Sequence, residues 1–275
     1  MFYKNYLTWF IRKILFMFTM MIFFVSLHVE AMSLEKAQEL SNRYTSEQFI
    51  NKLLTQFTLD DAHSVVVREH FVEHYSNVKF LQKLMTAVEE SSAANSNGDR
   101  LLAQRLSAGW TYGGLRLLAP EQQLNYFHYM RDLMSVVSPA ECRLLITGAS
   151  SDKLPSNQAI EVKYFNKIKP QVLKNYFAMQ RAALDSYVSG KTKNREISDE
   201  KLKVVRQSVA QEFYAVLSQH RARDELMPLM KDMSMATDEQ VCELGRLTME
   251  VYLRGDSDIN ELQIQDYLER YTFRE

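Results

Sequence analysis

The sequence predicts an all-α protein, a multi-helix globular bundle of about nine to eleven helices, arranged as two similar halves or as one continuous domain. Three observations carry this. Apolar residues recur at three- and four-residue spacing almost without interruption from Ser33 onward. Helix-start chemistry repeats along the chain, as in Thr45-Ser46-Glu47-Gln48, Ser138-Pro139-Ala140-Glu141 and Thr237-Asp238-Glu239-Gln240. No strand ladder emerges: only residues 64–67 and 144–147 have β-like composition, and both sit inside helical patterns.

The first 31 residues read as a signal peptide. Lys4, Arg12 and Lys13 precede the apolar run ILFMFTMMIFFVSL at 14–27, and Val29-Glu30-Ala31 offers a small residue at a cleavage point. The run is shorter than the ~20 apolar residues a membrane span needs. The competing expectation is an uncleaved anchor through residues 6–29, since the flank before the run is also apolar. Cleavage would release an exported chain, periplasmic or secreted, beginning at Met32. That chain carries 30 Lys and Arg against 33 Asp and Glu, a formal charge of −3. Such a balance argues against nucleic acid as a partner. Its 244 residues suffice for a buried core without staples.

Along the exported part, Phe49, Ile50, Leu53, Leu54 and Phe57 form the apolar face of an early helix, and Thr58 and Asp61 open the next, to about Tyr75. Val78, Leu81, Leu84, Met85 and Val88 make a stripe on the one after it, and SSAANSNG at 91–98 reads as a linker. Gly109, Gly113 and Gly114 surround Trp110; glycine costs ~1 kcal/mol against alanine inside a helix, so these either admit a close neighbour or mark a break. Pro120 suits a first turn, with Leu124, Phe127, Met134 and Val137 facing inward. The segment ASSDKLPSN at 149–157 is a second linker, which divides the chain into helical halves 32–148 and 149–275. Beyond Pro170, Leu173, Tyr176, Phe177, Ala183, Leu184 and Tyr187 carry a core face up to Gly190, and KTKNREI at 191–197 is a basic loop. Ser198 caps a helix bearing Leu202, Val205, Val209, Val216 and Leu217; the Thr237 box opens another, ended by Gly255, and a last helix runs from about 257 to 271.

Cys142 and Cys242 are the only cysteines. An even count in an oxidising compartment favours a disulfide between them. Each follows a helix start, and RDLMS at 131–135 echoes KDMS at 231–234, so a duplicated half and a chance likeness both fit.

The sharpest chemical motif is His70-Phe71-Val72-Glu73-His74. Two imidazoles four residues apart share a helix face, with Glu73 beside them as a candidate general base. Over these five residues the sequence resembles the H-x-x-E-H order of the inverted zinc peptidases. That resemblance implies zinc held by His70 and His74 and a distant acidic third ligand, for which Glu141 and Glu161 are candidates. The peptidases are larger α/β proteins, and no strand pattern follows here. His63 falls within about 40° of the same face but roughly 10 Å along the axis, too far to join one ion. The alternative is a polar strip between packed faces with no metal and no cofactor. Nucleophilic catalysis has less support: pairing Cys142 or Cys242 with His128 or His220 would be arbitrary, and no Gly-x-Ser-x-Gly or phosphate loop exists.

Charge is segregated. Residues 163–206 hold eleven Lys and Arg against four Asp and Glu, and residues 224–275 hold thirteen acidic against five basic residues. Opposite faces of this kind steer a charged protein partner, with Lys191, Lys193 and Arg195 as candidate contacts; a basic face also suits an anionic membrane surface. Met227, Met230, Met233 and Met235 would suit either a core or an adaptable groove. The leading expectation is a non-enzymatic, exported helical module that binds another exported protein, as an inhibitor, an immunity-type neutraliser or an envelope assembly factor does. The alternative is a zinc-dependent hydrolase built on His70, Glu73 and His74.

Overall fold

The computed structural model describes residues 33–92, 99–147, 157–191, 198–230, 232, 235–254 and 262–268. Residues 1–32, 93–98, 148–156 and 192–197, where the leader, the two linkers and most of the 191–197 basic loop are expected, lie outside the described residues. Every regular element among the described residues is helical. Thirteen α-helices are present there, more than the nine to eleven expected, because a helix as short as Arg223–Leu226 spans too few residues to show a period. Residues 64–67 and 144–147, the two β-like stretches, are both helical.

The chain divides by contacts into two compact units. Unit 1 comprises residues up to Gly114 together with Arg181–Lys191; unit 2 comprises Leu115–Gln180 and the chain from Thr192. The composition-based halves 32–148 and 149–275 cut the chain at different places from these contact-based units.

Unit 1 is built from α1 (Leu34–Tyr44), α2 (Glu47–Leu54), α3 (Asp61–Tyr75), α4 (Val78–Ser92) and α5 (Asp99–Leu115), which leaves the unit at its last residue. Ser46 caps α2, its hydroxyl accepting from the Phe49 N–H at 3.4 Å. Thr45, expected to open that box, instead ends α1 and donates its hydroxyl to the Ser41 carbonyl at 2.8 Å. Asp60 caps α3, and the Asn77 side chain accepts from the Phe80 N–H at 3.0 Å to start α4. Helix α1 packs on α4 and α2 on α3. The α4 stripe is buried through Leu81, Leu84, Met85 and Val88, joined by Phe80.

The unit is completed by the C-terminal part of α9 (Pro170–Val188). Trp110 stacks on Tyr187 with ring centroids 5.8 Å apart, and Gly114 lies so close to α9 that an added Cβ would sit 1.8 Å from the Ala183 carbonyl oxygen. Gly114 therefore marks a close helix approach and no break. Gly190, at φ +68°, ends α9 in the left-handed region that glycine tolerates.

Unit 2 contains α6 (Pro120–Val136), α7 (Pro139–Thr147), α8 (Asn157–Tyr164), the first part of α9, α10 (Asp199–Ser218), α11 (Arg223–Leu226), α12 (Asp238–Arg254) and α13 (262–268). Helix α12 packs against α6, α7 and α10. It buries Val241, Cys242, Leu244, Gly245, Leu247, Met249, Val251 and Tyr252. The expected boxes at Ser138 and Thr237 both form: Glu141 accepts from the Ser138 N–H and hydroxyl, and Gln240 accepts from the Thr237 N–H at 2.9 Å. Just inside these two starts, Cys142 and Cys242 form the disulfide, with Cα atoms 5.4 Å apart. Arg143 spans the same junction, donating to the Ala236 carbonyl at 2.9 Å and to Asp238 at 3.0 Å.

The packing makes three variants informative. Gly114→Ala should destabilise the full chain by about 2 kcal/mol or more in urea unfolding, since backbone atoms leave its methyl no room. Gly109→Ala, with nothing within 4 Å of the new methyl, should be neutral or stabilising by up to ~1 kcal/mol. Replacing both cysteines by serine opens a loop of 100 residues and should lower unfolding stability by up to about 4.7 kcal/mol.

Candidate functional site

The last two turns of α3 place His70, Glu73 and His74 on one face, as their spacing requires. What meets them is Arg181, from the part of α9 that belongs to unit 1. Its guanidinium forms an ion pair with Glu73 Oε2 and donates to His70 Nδ1 at 3.1 Å. Arginine only donates, so this His70 nitrogen accepts and the ring proton sits on Nε2. The two imidazoles lie 5.7 Å apart between ring centroids, and His74 packs edge-on against Phe80 at 4.9 Å.

Both histidines are half-buried. Burial holds His70 well below the ordinary imidazole value, helped by His74 and by the Arg181 charge. Burial and Arg181 bring His74 down to about 4. Both rings are therefore neutral at pH 7. A cleft of about 380 Å³ opens beside them, lined by Glu73, His74, Ser76, Asn77, Arg181, Leu184 and Asp185. Asn77 donates to the Asp185 carboxylate across it, and nearby the Lys83 ammonium donates to the Val188 carbonyl.

Neutral imidazoles suit a metal, but a guanidinium seated on one of them opposes the approach of a divalent cation. Among the described residues, no group of three or more His, Cys, Asp or Glu is placed to hold a metal ion. His63 belongs to a different feature: the Asp60 carboxylate accepts from its N–H at 2.9 Å and meets its Nδ1 at 2.7 Å.

The candidate acidic ligands Glu141 and Glu161 lie in unit 2, each in its own network. Burial would raise the Glu141 carboxyl, but hydrogen bonds from Lys163 at 2.8 Å, from Ser138, and from the Tyr164 hydroxyl at 2.7 Å overcome it and hold the group at about 2. Glu161 goes the other way. Burial pushes it up to about 7, only partly offset by the hydroxyls of Tyr129 at 3.3 Å and Tyr176 at 3.5 Å. Those two tyrosine rings stack at 3.6 Å.

The cysteine–histidine pairings considered for nucleophilic catalysis do not assemble. Both cysteines are bonded to each other. His220 meets Glu243 through Nε2 at 2.9 Å while its Nδ1 accepts from the Ala222 N–H at 3.2 Å, so both ring nitrogens are engaged. Lys191 is exposed just after Gly190; Lys193 and Arg195 lie outside the described residues. Arg181 is the site residue that sequence reasoning missed. Its only signal was a position four residues before Asp185, which suggests a pair along one helix face, whereas each side chain reaches toward the end of α3 and the start of α4 instead.

No family model matches the chain, and neither a curated protein nor a solved structure shows significant similarity to it.

Because folding depresses both imidazoles below 6.5, the unfolded chain binds protons more readily in mild acid. The stabilisation is complete above pH 6.5 and falls away below it, the His74 contribution being lost as pH falls through about 4 and the His70 contribution acting in the same direction. His74→Gln should therefore lose roughly 2 kcal/mol less than the parent chain between pH 7.5 and pH 4.5, read from urea midpoints at the two pH values.

Proposed function

We propose that this chain is an exported, non-enzymatic helical protein that binds another exported protein through charged helix faces, as an inhibitor, an immunity-type neutraliser or an envelope assembly factor does. The observation that carries this reading is the Arg181 bridge. The most chemically suggestive motif in the sequence has its carboxylate and one imidazole tied to a fixed cation, an arrangement that serves packing and orientation. The Cys142–Cys242 disulfide adds support, since such bonds persist in oxidising compartments. No helix among the described residues is long and apolar enough to cross a membrane.

Charge is available for recognition. Lys163, Lys167, Lys169, Lys201 and Lys203 are exposed on or between α8, α9 and α10, while Asp224, Glu225 and Glu239 are exposed on α11 and α12. Lys163 and Lys167 both sit over the Tyr164 ring, at 4.9 and 5.1 Å, Lys163 being paired as well with the Glu141 carboxylate at 2.8 Å. Segregated charge of this kind accelerates encounter with a partner of opposite sign and discriminates against like-charged surfaces.

The test is capture of the partner from an envelope extract by the mature chain, followed by binding kinetics. Reversing Lys191, Lys193 and Arg195 to Glu should slow association at least tenfold at low salt, whereas His74→Ala should leave it within twofold. Zinc content of protein purified without chelator is the counter-measurement. About one zinc per chain, lost in both His70→Ala and His74→Ala, would overturn this proposal in favour of the hydrolase with Glu73 as base.

A further inference from the structure

Helix α10 is attached to unit 2 by a narrow stripe. Val205, Phe213 and Leu217 are buried, while Val204 and Tyr214 remain 60% and 46% exposed. Alongside that stripe a cavity of about 460 Å³ opens between α10 and the layer made by α6, α7 and α12. Its volume falls in the range of small-molecule sites, roughly 300–1,000 Å³.

The lining has a definite chemistry. Met130, Met134, Ile146, Phe213, Leu244 and Met249 supply apolar walls from four different helices. Thioether side chains are unbranched and adaptable, so three of them in one wall suit a flexible apolar chain better than a rigid ring. The wall is set where α7 meets α12: an added Cβ at Gly245 would lie 2.3 Å from Ile146 Cδ1, so the glycine brings these helices together. Arg206 is the one charged side chain lining the cavity among the described residues. It is half-exposed, and its guanidinium is held in place by two hydrogen bonds to the buried Asp266, at 3.1 and 2.9 Å.

An apolar slot whose one charged lining group is a guanidinium, oriented by a buried carboxylate outside the lining, suits a ligand with a hydrocarbon tail and a hydrogen-bond-accepting anionic head. We propose that unit 2 binds a single-chain amphiphile with a carboxylate or comparable anionic head, its tail along Met130, Met134 and Met249 and its head at Arg206. The proposal does not rest on the partner-binding reading, and it stands or falls independently of it.

The test uses the full mature chain and 11-(dansylamino)undecanoic acid as a monomeric probe. Saturable fluorescence enhancement at micromolar probe is expected, with dodecanoate displacing it at least tenfold better than dodecanol. Ala210→Trp, at an exposed lining position, and Thr248→Phe should each abolish uptake while circular dichroism and the urea midpoint stay close to those of the parent chain. Arg206→Gln paired with Asp266→Asn, which removes both charges together, should weaken the carboxylate at least tenfold and leave dodecanol unchanged. No saturable uptake, uptake indifferent to both filled variants, or equal displacement by dodecanoate and dodecanol would overturn the proposal. So would association with anionic phospholipid vesicles without uptake of the monomer, or displacement of the probe only by a captured protein partner.

Discussion

Burial of α12 is the constraint on which the rest of unit 2 depends. Eight of its side chains and backbone positions are shielded, and α6, α7 and α10 each use it as their apolar counterpart. A helix so enclosed must have its polar start satisfied locally, and Thr237 with Gln240 does this, while Arg143 bonds the backbone just before it. The cystine then joins two helix starts already shaped by their caps. Phe127, Tyr252 and Tyr267 close the other side with ring centroids 4.9 to 5.1 Å apart. The six-residue cluster Phe213, Leu217, Leu226, Leu244, Leu247 and Val251 shows how α10 and α11 come to depend on the same helix.

Much of this was legible because it is local. The Ser138 and Thr237 boxes, the α4 stripe and the stop at Gly190 follow from residues within one or two turns of each other. Where two local signals competed, the sequence alone could not rank them: Thr45 and Ser46 are both fit to cap, and only the end of α1 decides that Thr45 turns back to Ser41. The close approach at Gly114 depends on Ala183, far along the chain, so the glycine could be suspected but its neighbour could not be named. Gly245 and Arg181 gave less signal still, since a glycine or an arginine within a helical pattern acquires meaning only from the opposing helix. Tyr187 was expected in a core face and is 42% exposed, because stacking on Trp110 covers only one side of the ring.

The titratable groups show one physical cause acting with two signs. Desolvation lowers the imidazoles of His70 and His74 and raises the carboxyl of Glu161, because in each case it disfavours the charged form. Glu141 is the exception that calibrates the effect: four hydrogen bonds to one carboxylate outweigh the same penalty. Between pH 4.5 and 6.5 the histidines favour the folded state increasingly as pH rises, while Glu161 favours it less. The acid response of the chain is therefore a balance of opposed contributions rather than the titration of one group.

Helix α9 supplies both units, and unit 1 takes its last piece, 181–191, from beyond the first stretch of unit 2. During synthesis the chain emerges from its N-terminus at ~5–20 residues per second. Helices α1 to α5 are thus available several seconds before Arg181 and Ala183 appear, and until then Gly114 has no close neighbour and Glu73 no guanidinium. Unit 1 therefore has its full set of residues only once residue 191 has emerged, after the first stretch of unit 2 has already been made. The core of unit 1 thus stays open at the Gly114 and Glu73 positions for the whole time it takes to make residues 115–180.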